Sequence, residues 1–244
     1  MHPIVMVANF SGNVGKTTLT KNLLLPNMPS GTVVVAVEDV NAGYNQGEAV
    51  QLSAEQTQSI LERVIEQSFS TPVIVDVGAS NVSNFFSALA SYDNIEEFIT
   101  RVLVPTEPSE KVQTDTVSTL KFLVDNLGFS EDKLMLVLNK VAGKTPTSEI
   151  FSSLITTAAE MGVFVLGEVA ESETFQIAST MGKTIYELAA MDPKALLADS
   201  KAKAAQGGDS KEGVRVLLAA ASARKLKSQL DKIYAALAIP AGEV

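Results

Sequence analysis

The chain has 244 residues, 46% of them hydrophobic, and a net charge of −9. It has no cysteine and one histidine, His2, at its frayed start, which excludes a disulfide framework, a thiolate metal site and histidine-based catalysis. The length suits one α/β domain with a large core. No apolar run reaches the ~18 residues of a membrane span, and with no leader pattern ahead of the first strand a cytoplasmic protein is expected.

Charge is uneven along the chain. Nine of the 19 basic residues, but only four of the 28 acidic ones, fall between Lys194 and Lys232. An acidic body thus carries a basic C-terminal segment. That asymmetry fits an anionic partner such as DNA or an anionic membrane, and equally a solvated helix face.

In chain order, Ile4 to Ala8 is a short apolar run of the kind a strand buried on both faces shows. Small and turn-prone residues follow from Asn9 to Val14, and Gly15-Lys16-Thr17-Thr18 opens a helical pattern with Leu19 and Leu23 four apart. Val33 to Val37 is a second strand. Ser53 to Gln67 is a helix, with Ser53 as N-cap and Gln56 completing a capping box. Val73 to Val77, Ile99 to Val104, Leu134 to Leu138 and Val163 to Leu166 are strands. Between and after them, helices are expected at 82–90, 110–127, 147–161 and, as one or two short pieces around Gly182, at 173–190. Residues 199–213 read as a linker. Val214 to Leu237 is a final helix whose apolar face is Val214, Leu217, Leu218, Ala221, Leu226, Leu230, Ile233 and Leu237.

Strands separated by helices imply βαβ units and a doubly wound, mainly parallel sheet with helices on both faces. Residues 1–192 would form a P-loop nucleotide-binding domain, and 193–244 a basic C-terminal helical extension.

In such sheets ligands bind at the carboxyl ends of strands. The first strand is followed by the Gly-Lys-Thr loop, whose backbone N–H groups would face an anion. Lys16 would reach β- and γ-phosphates, and the Thr17 hydroxyl would ligate Mg²⁺. The general pattern G-x-x-x-x-G-K-S/T places glycine where this chain has Phe10. The second strand is followed by Asp39, placed to orient or activate an attacking water. The third ends at Asp76, a second Mg²⁺ ligand directly or through water, with Gly78 giving the backbone access to a γ-phosphate. The fifth ends at Asn139, which could hydrogen-bond the base. Each also has an ordinary reading, as cap, turn or strand terminator.

Phe10 to Thr18 resembles the deviant Walker A motif K-G-G-x-G-K-T-S/T of the ParA/MinD ATPases. Gly12, Gly15, Lys16, Thr17 and Thr18 match. Ser11 takes the place of the signature lysine and Asn13 that of the second glycine, leaving Ser11, Gly12, Asn13, Val14, Gly15, Lys16, Thr17 and Thr18 as the loop. The resemblance runs on through Val35 to Asp39 (switch I), Val73 to Gly78 (Walker B and switch II, without the usual Pro-Pro), Val104 to Pro108, and Ala178 to Glu187. It covers roughly residues 1–190, and within the family the chain looks most like StbB/TraL-type proteins of conjugative plasmids. The resemblance implies an ATPase, with ATP and Mg²⁺ as cofactors and Lys16, Asp39 and Asp76 as catalytic residues. It would act in plasmid segregation or positioning with a DNA-binding adaptor, and would form a homodimer. In the family the signature lysine reaches the partner's phosphates across an ATP-sandwiched dimer. Ser11 carries no charge, so slow turnover is expected. Arg224, Lys225 and Lys227 would meet DNA or an anionic membrane. Two other readings stay open: a ligase similar to dethiobiotin synthetase, which also lacks that lysine, and a nucleotide-gated scaffold with little hydrolysis.

Overall fold

The structure, a computed structural model, describes residues 1–37, 50–52, 57–206 and 209–239. Its frame is a sheet of seven strands, all parallel, in the order β3-β2-β4-β1-β5-β6-β7. The strands are β1 (Ile4–Val7), β2 (Val33–Val37), β3 (Val50–Leu52), β4 (Val73–Val77), β5 (Arg101–Thr106), β6 (Leu134–Val141) and β7 (Phe164–Ala170). The helices are α1 (Lys16–Leu19), α2 (Thr57–Ser68), α3 (Val82–Leu89), α4 (Glu110–Asp125), α5 (Thr147–Ile150), α6 (Ser152–Glu160), α7 (Glu173–Thr180), α8 (Ile185–Ala190), α9 (Pro193–Ala205) and α10 (Lys211–Leu237). A π-helical turn, Thr20–Leu24, continues α1 without a break.

Apolar strands follow from burial on two faces, and the two cores divide by alternation. Ile4, Met6, Val73, Val75, Val102 and Val104 face one core, with α2, α3, α4 and α6. Val5, Val7, Ile74, Leu103 and Val137 face the other, with α1, α7, α8 and α10. In β4 the carboxylate of Asp76 stands on the second face, where its neighbours carry apolar side chains. β1 lies between β4 and β5, where the chain stops adding strands on one side of the sheet and starts on the other. That reversal is the switch point at which open α/β sheets bind ligands.

Four expectations are corrected. β3 lies between strand and helix where the sequence shows no separate run. The helix expected over 147–161 is divided at Phe151, whose backbone leaves the helical region (φ −111, ψ 19) while its ring is fully buried. The supposed linker begins as α9, with Pro193 at its first position and Asp192 accepting from Lys194 N. The buried face of α10 is Val216, Ala219, Ala220, Ala223, Leu226, Leu230, Ile233 and Leu237, whereas Val214 and Leu218 are exposed. At the start of α10 a Cβ on Gly213 would meet Ser200 Oγ at 2.3 Å. α9 therefore crosses α10 too closely there for a side chain at position 213. The expected Ser53 and Gln56 caps lie outside the described residues.

Candidate functional site

The loop after β1 is fixed by its own side chains. Asn9 Nδ2 donates to Pro105 O (2.8 Å) and Thr116 Oγ1 (2.9 Å), while its Oδ1 accepts from Ser11 N (2.8 Å). Phe10 N donates to Thr119 Oγ1. The Phe10 ring packs edge-on against Phe86 and Phe122, at centroid distances of 5.6 and 5.9 Å. Phe10, at the position that breaks the general pattern, thus anchors the loop in the core. Ser11 Oγ donates to Asp115 Oδ2 at 2.5 Å, and Lys111 Nζ reaches the same oxygen at 3.3 Å. The Ser11 hydrogen bond is the main reason the Asp115 carboxyl lies below its ordinary pKa.

Asn13 (φ 58) and Gly15 (φ 91) are left-handed, which turns the loop into α1. At Gly15 a Cβ would lie 2.1 Å from Asn139 Nδ2, so only glycine fits. Lys16 is 7% exposed, and its ammonium donates to Ser11 O (2.7 Å) and Asn9 O (3.2 Å). The cation is therefore held inside the loop's own curve. Thr17 and Thr18 stand at the N-terminus of α1 and line the adjacent cleft.

Asp76, near the end of β4, is 3% exposed and lies in register with Val7 on one side and Ala36 on the other. Gly78 N donates to Val37 O (3.1 Å), tying the loop after β4 to the end of β2. Asn81 is buried just beyond it. Asp39 lies outside the described residues. The hydroxyl of Thr17 and the carboxylate of Asp76 are hard oxygen donors. They suit a divalent cation such as Mg²⁺ that takes its other ligands from phosphates and water.

A cleft of about 590 Å³ runs along the strand ends, lined by Gly12, Lys16, Thr17, Ala79, Lys140 and Gln176 among others. Asn139, expected to hydrogen-bond the base, lies beneath the loop, where it is 5% exposed and its Nδ2 donates to Val14 O (2.8 Å). Lys140 has a left-handed backbone (φ 53) and pairs with Glu107 at 2.7 Å.

The C-terminal basic residues divide by role. Arg224 donates to Ala189 O (3.1 Å) and Met191 O (2.8 Å) and so caps the carboxyl end of α8. Lys227 pairs with Asp231 (2.7 Å) and lies 4.7 Å from the Tyr186 ring centroid. Tyr186 OH donates to Asp231 and accepts from Asn27, both at 2.6 Å. Two of the three residues assigned to an anionic partner therefore bind α10 to its own domain. Lys225 is exposed, with no hydrogen-bond or ion-pair partner among the described residues. No helix among those residues is long and apolar enough to cross a membrane.

Sequence reasoning missed Asn9, Asp115, Thr116 and Thr119. The last three sit at helical spacing on α4, a polar stripe where a core-facing stripe would be apolar, and that was the available signal. Asn22 was also missed. Its Nδ2 donates to Thr18 O (2.9 Å) and its Oδ1 accepts from Ile185 N (2.7 Å), joining the π-helical turn to α8.

Residues 5–185 match the family described as the CobQ/CobB/MinD/ParA nucleotide binding domain. No curated protein matches. Among solved structures, an ATP complex of a McdA variant from Cyanothece is similar, with 14% identity and a TM-score of 0.60 over 100% of this chain and 99% of that one. The MinD cell division protein of Aquifex aeolicus gives 14% and 0.50 over 99% and 100%. The MinD cell division ATPase of Pyrococcus furiosus gives 13% and 0.50 over 92% and 99%. At these identities the likeness is one of fold.

Proposed function

Because the chain belongs to the CobQ/CobB/MinD/ParA nucleotide-binding family, we propose that it is a ParA-like ATPase that binds Mg-ATP in the cleft at the strand ends. Its role would be plasmid segregation or positioning, its nucleotide state governing contact with a DNA-binding adaptor and with DNA or an anionic membrane. The observation that carries this reading is the placement of Lys16, a buried ammonium curled into a loop whose Thr17 and Thr18 line the cleft. Its partners include the backbone carbonyls of Ser11 and Asn9. A phosphate oxygen would offer the ammonium an anionic acceptor in place of a neutral one, which is a stronger pairing.

In the proposed assignment Lys16 neutralises the β- and γ-phosphates and loop N–H groups cradle them. Asp39 positions the attacking water, and Gly78 lets the backbone meet the γ-phosphate. Thr17 and Asp76 would hold Mg²⁺, which when bound offsets the phosphates' negative charge. Asn139 serves by bracing the loop from below.

One observation favours a second reading, a nucleotide-gated scaffold that hydrolyses little. Where the family's motif places a lysine, this chain presents a hydroxyl bonded to a carboxylate. The Ser11 side chain itself carries no charge to offset what develops on the transferred phosphoryl group, and the nearby Lys111 ammonium is paired with Asp115. Calorimetric titration with Mg-ATP, combined with phosphate release with and without DNA, tests both readings. Tight binding that Lys16→Ala abolishes supports the nucleotide site, and the release rate chooses between ATPase and scaffold. Unchanged affinity in Lys16→Ala overturns the assignment.

A further inference from the structure

The cleft has two chemically different ends. At one end a Cβ on Gly12 would lie 3.8 Å from Ala79 Cβ, so the loop there abuts the turn after β4, close to Asp76. That is the end suited to the terminal phosphate. At the other end stand Lys140, after β6, and Gln176, in α7 after β7. β6 and β7 are the second and third strands beyond β1, so at ~4.8 Å per strand they stand about 10 and 14 Å from it. A nucleotide whose phosphates occupy the loop therefore extends its base toward this pair.

The polar side chains at that end are not equally available. Asn139 is buried, and its Nδ2 is committed to Val14 O beneath the loop. The Lys140 ammonium is committed to Glu107. Its left-handed backbone is a conformation unusual for a residue with a Cβ. Gln176 differs from both: it is exposed, it lines the cleft, and its carboxamide has no hydrogen-bond partner among the described residues.

Resting on the reading of the cleft as a nucleotide site, we propose that Gln176 is the residue that selects adenine. A carboxamide offers one acceptor and one donor side by side. The N6/N7 edge of adenine offers the complementary donor and acceptor, whereas guanine presents two acceptors, O6 and N7, on that edge. Paired with Gln176, guanine would leave one acceptor facing an acceptor, and that loss gives the discrimination. Asn139 then shapes the loop and Lys140 with Glu107 fixes the wall, while Gln176 reads the base.

The test is calorimetric titration of the full chain with Mg-ATP and, separately, Mg-GTP, in wild type, Gln176→Ala and Gln176→Glu. The readout is the ratio of the two dissociation constants within each protein, which general loss of folding does not move selectively. The wild type is expected to prefer ATP. Gln176→Ala should reduce that preference on the order of tenfold, mainly by weakening ATP. Gln176→Glu should also bind ATP more weakly than wild type, because its carboxylate accepts from N6 but repels N7. An unchanged ratio in Gln176→Ala, or equal weakening of both nucleotides, overturns this inference and leaves the nucleotide site standing. A wild type that binds neither nucleotide overturns the nucleotide reading itself.

Discussion

Ser11 Oγ donates to Asp115 Oδ2 across 2.5 Å, joining the phosphate loop to the second turn of α4. The side chain at position 11 is therefore directed at a carboxylate of its own chain. A lysine introduced there would meet Asp115 before it met anything beyond the molecule. Ser11→Lys alone is expected to change ATP turnover little. Ser11→Lys combined with Asp115→Asn should raise turnover, because the new ammonium is then free to stabilise phosphoryl charge. Phosphate release from both variants decides the matter, and equal rates would show that Asp115 does not restrain the lysine.

The same hydrogen bond predicts a pH dependence. The Asp115 carboxyl is lowered from 3.8, chiefly by Ser11. A depressed carboxylate contributes stability that is present above its unfolded value and lost as pH falls through the folded one. Ser11→Ala should therefore be less stable than wild type at neutral pH, and the difference should shrink as pH drops below 3.8. The effect is small, because Asp115 is partly exposed and solvent screens its interactions. Urea midpoints at a series of pH values would show it, and a pH-independent difference would assign the loss to packing.

Asp39→Ala is expected to preserve ATP affinity and to slow turnover by roughly 10²–10⁴, the scale of one general-base contribution. Single-turnover phosphate release beside calorimetric affinity separates the two effects. If affinity falls and turnover of bound ATP does not, a different carboxylate acts on the water.

Arg224 and Lys225 are adjacent in sequence but differ in role. Arg224→Ala removes two hydrogen bonds from a guanidinium to the end of α8, and should cost about 1–2 kcal/mol of stability. Lys225→Ala should leave stability unchanged. It is the cleaner variant for co-sedimentation with DNA or anionic vesicles. Loss of binding in Lys225→Ala with an unaltered melting curve would place the contact on α10. Retained binding would leave Lys225 as solvated charge.

Tyr186 gives the opposite pH signature. Burial first, then its bond to Asp231, pushes the phenol from 10.0 up to about 12. Such a group contributes stability that is complete below its unfolded value and lost as pH rises through the folded one. Wild type should lose stability between pH 10 and about 12. Tyr186→Phe should start lower and lose less over that interval. Tyr234 is raised as well, by burial, so the difference between the two proteins isolates Tyr186.

Six strands were legible as apolar runs, five of them buried on both faces and the edge strand β7 only in part. β3 was not, since three residues carry no period. The phosphate loop was legible from Gly15, Lys16 and Thr17, because left-handed backbone and phosphate chemistry restrict which residues fit. Its supports were not legible: Asn9 finds Pro105 and Thr116, and Ser11 finds Asp115, about a hundred positions later in the chain. The phase of α10 was misread for a related reason. Hydropathy favours burying Leu218, which is 65% exposed. The face is set by packing against α7, α8, α9 and β7 together, which no single helix encodes.

The position of α10 has a consequence for how the protein is made. Its alanines and leucines share one core with Val5, Val7, Leu103 and Val137, all of which a ribosome releases much earlier. Until residues 211–237 emerge, that face of a finished sheet has no cover in this region. Because apolar surface left open during synthesis invites aggregation, the nascent chain covers this face only after α10 has emerged. Slow decoding just upstream of α10 would prolong the exposure, and a holdase that binds extended apolar segments would shorten its effect.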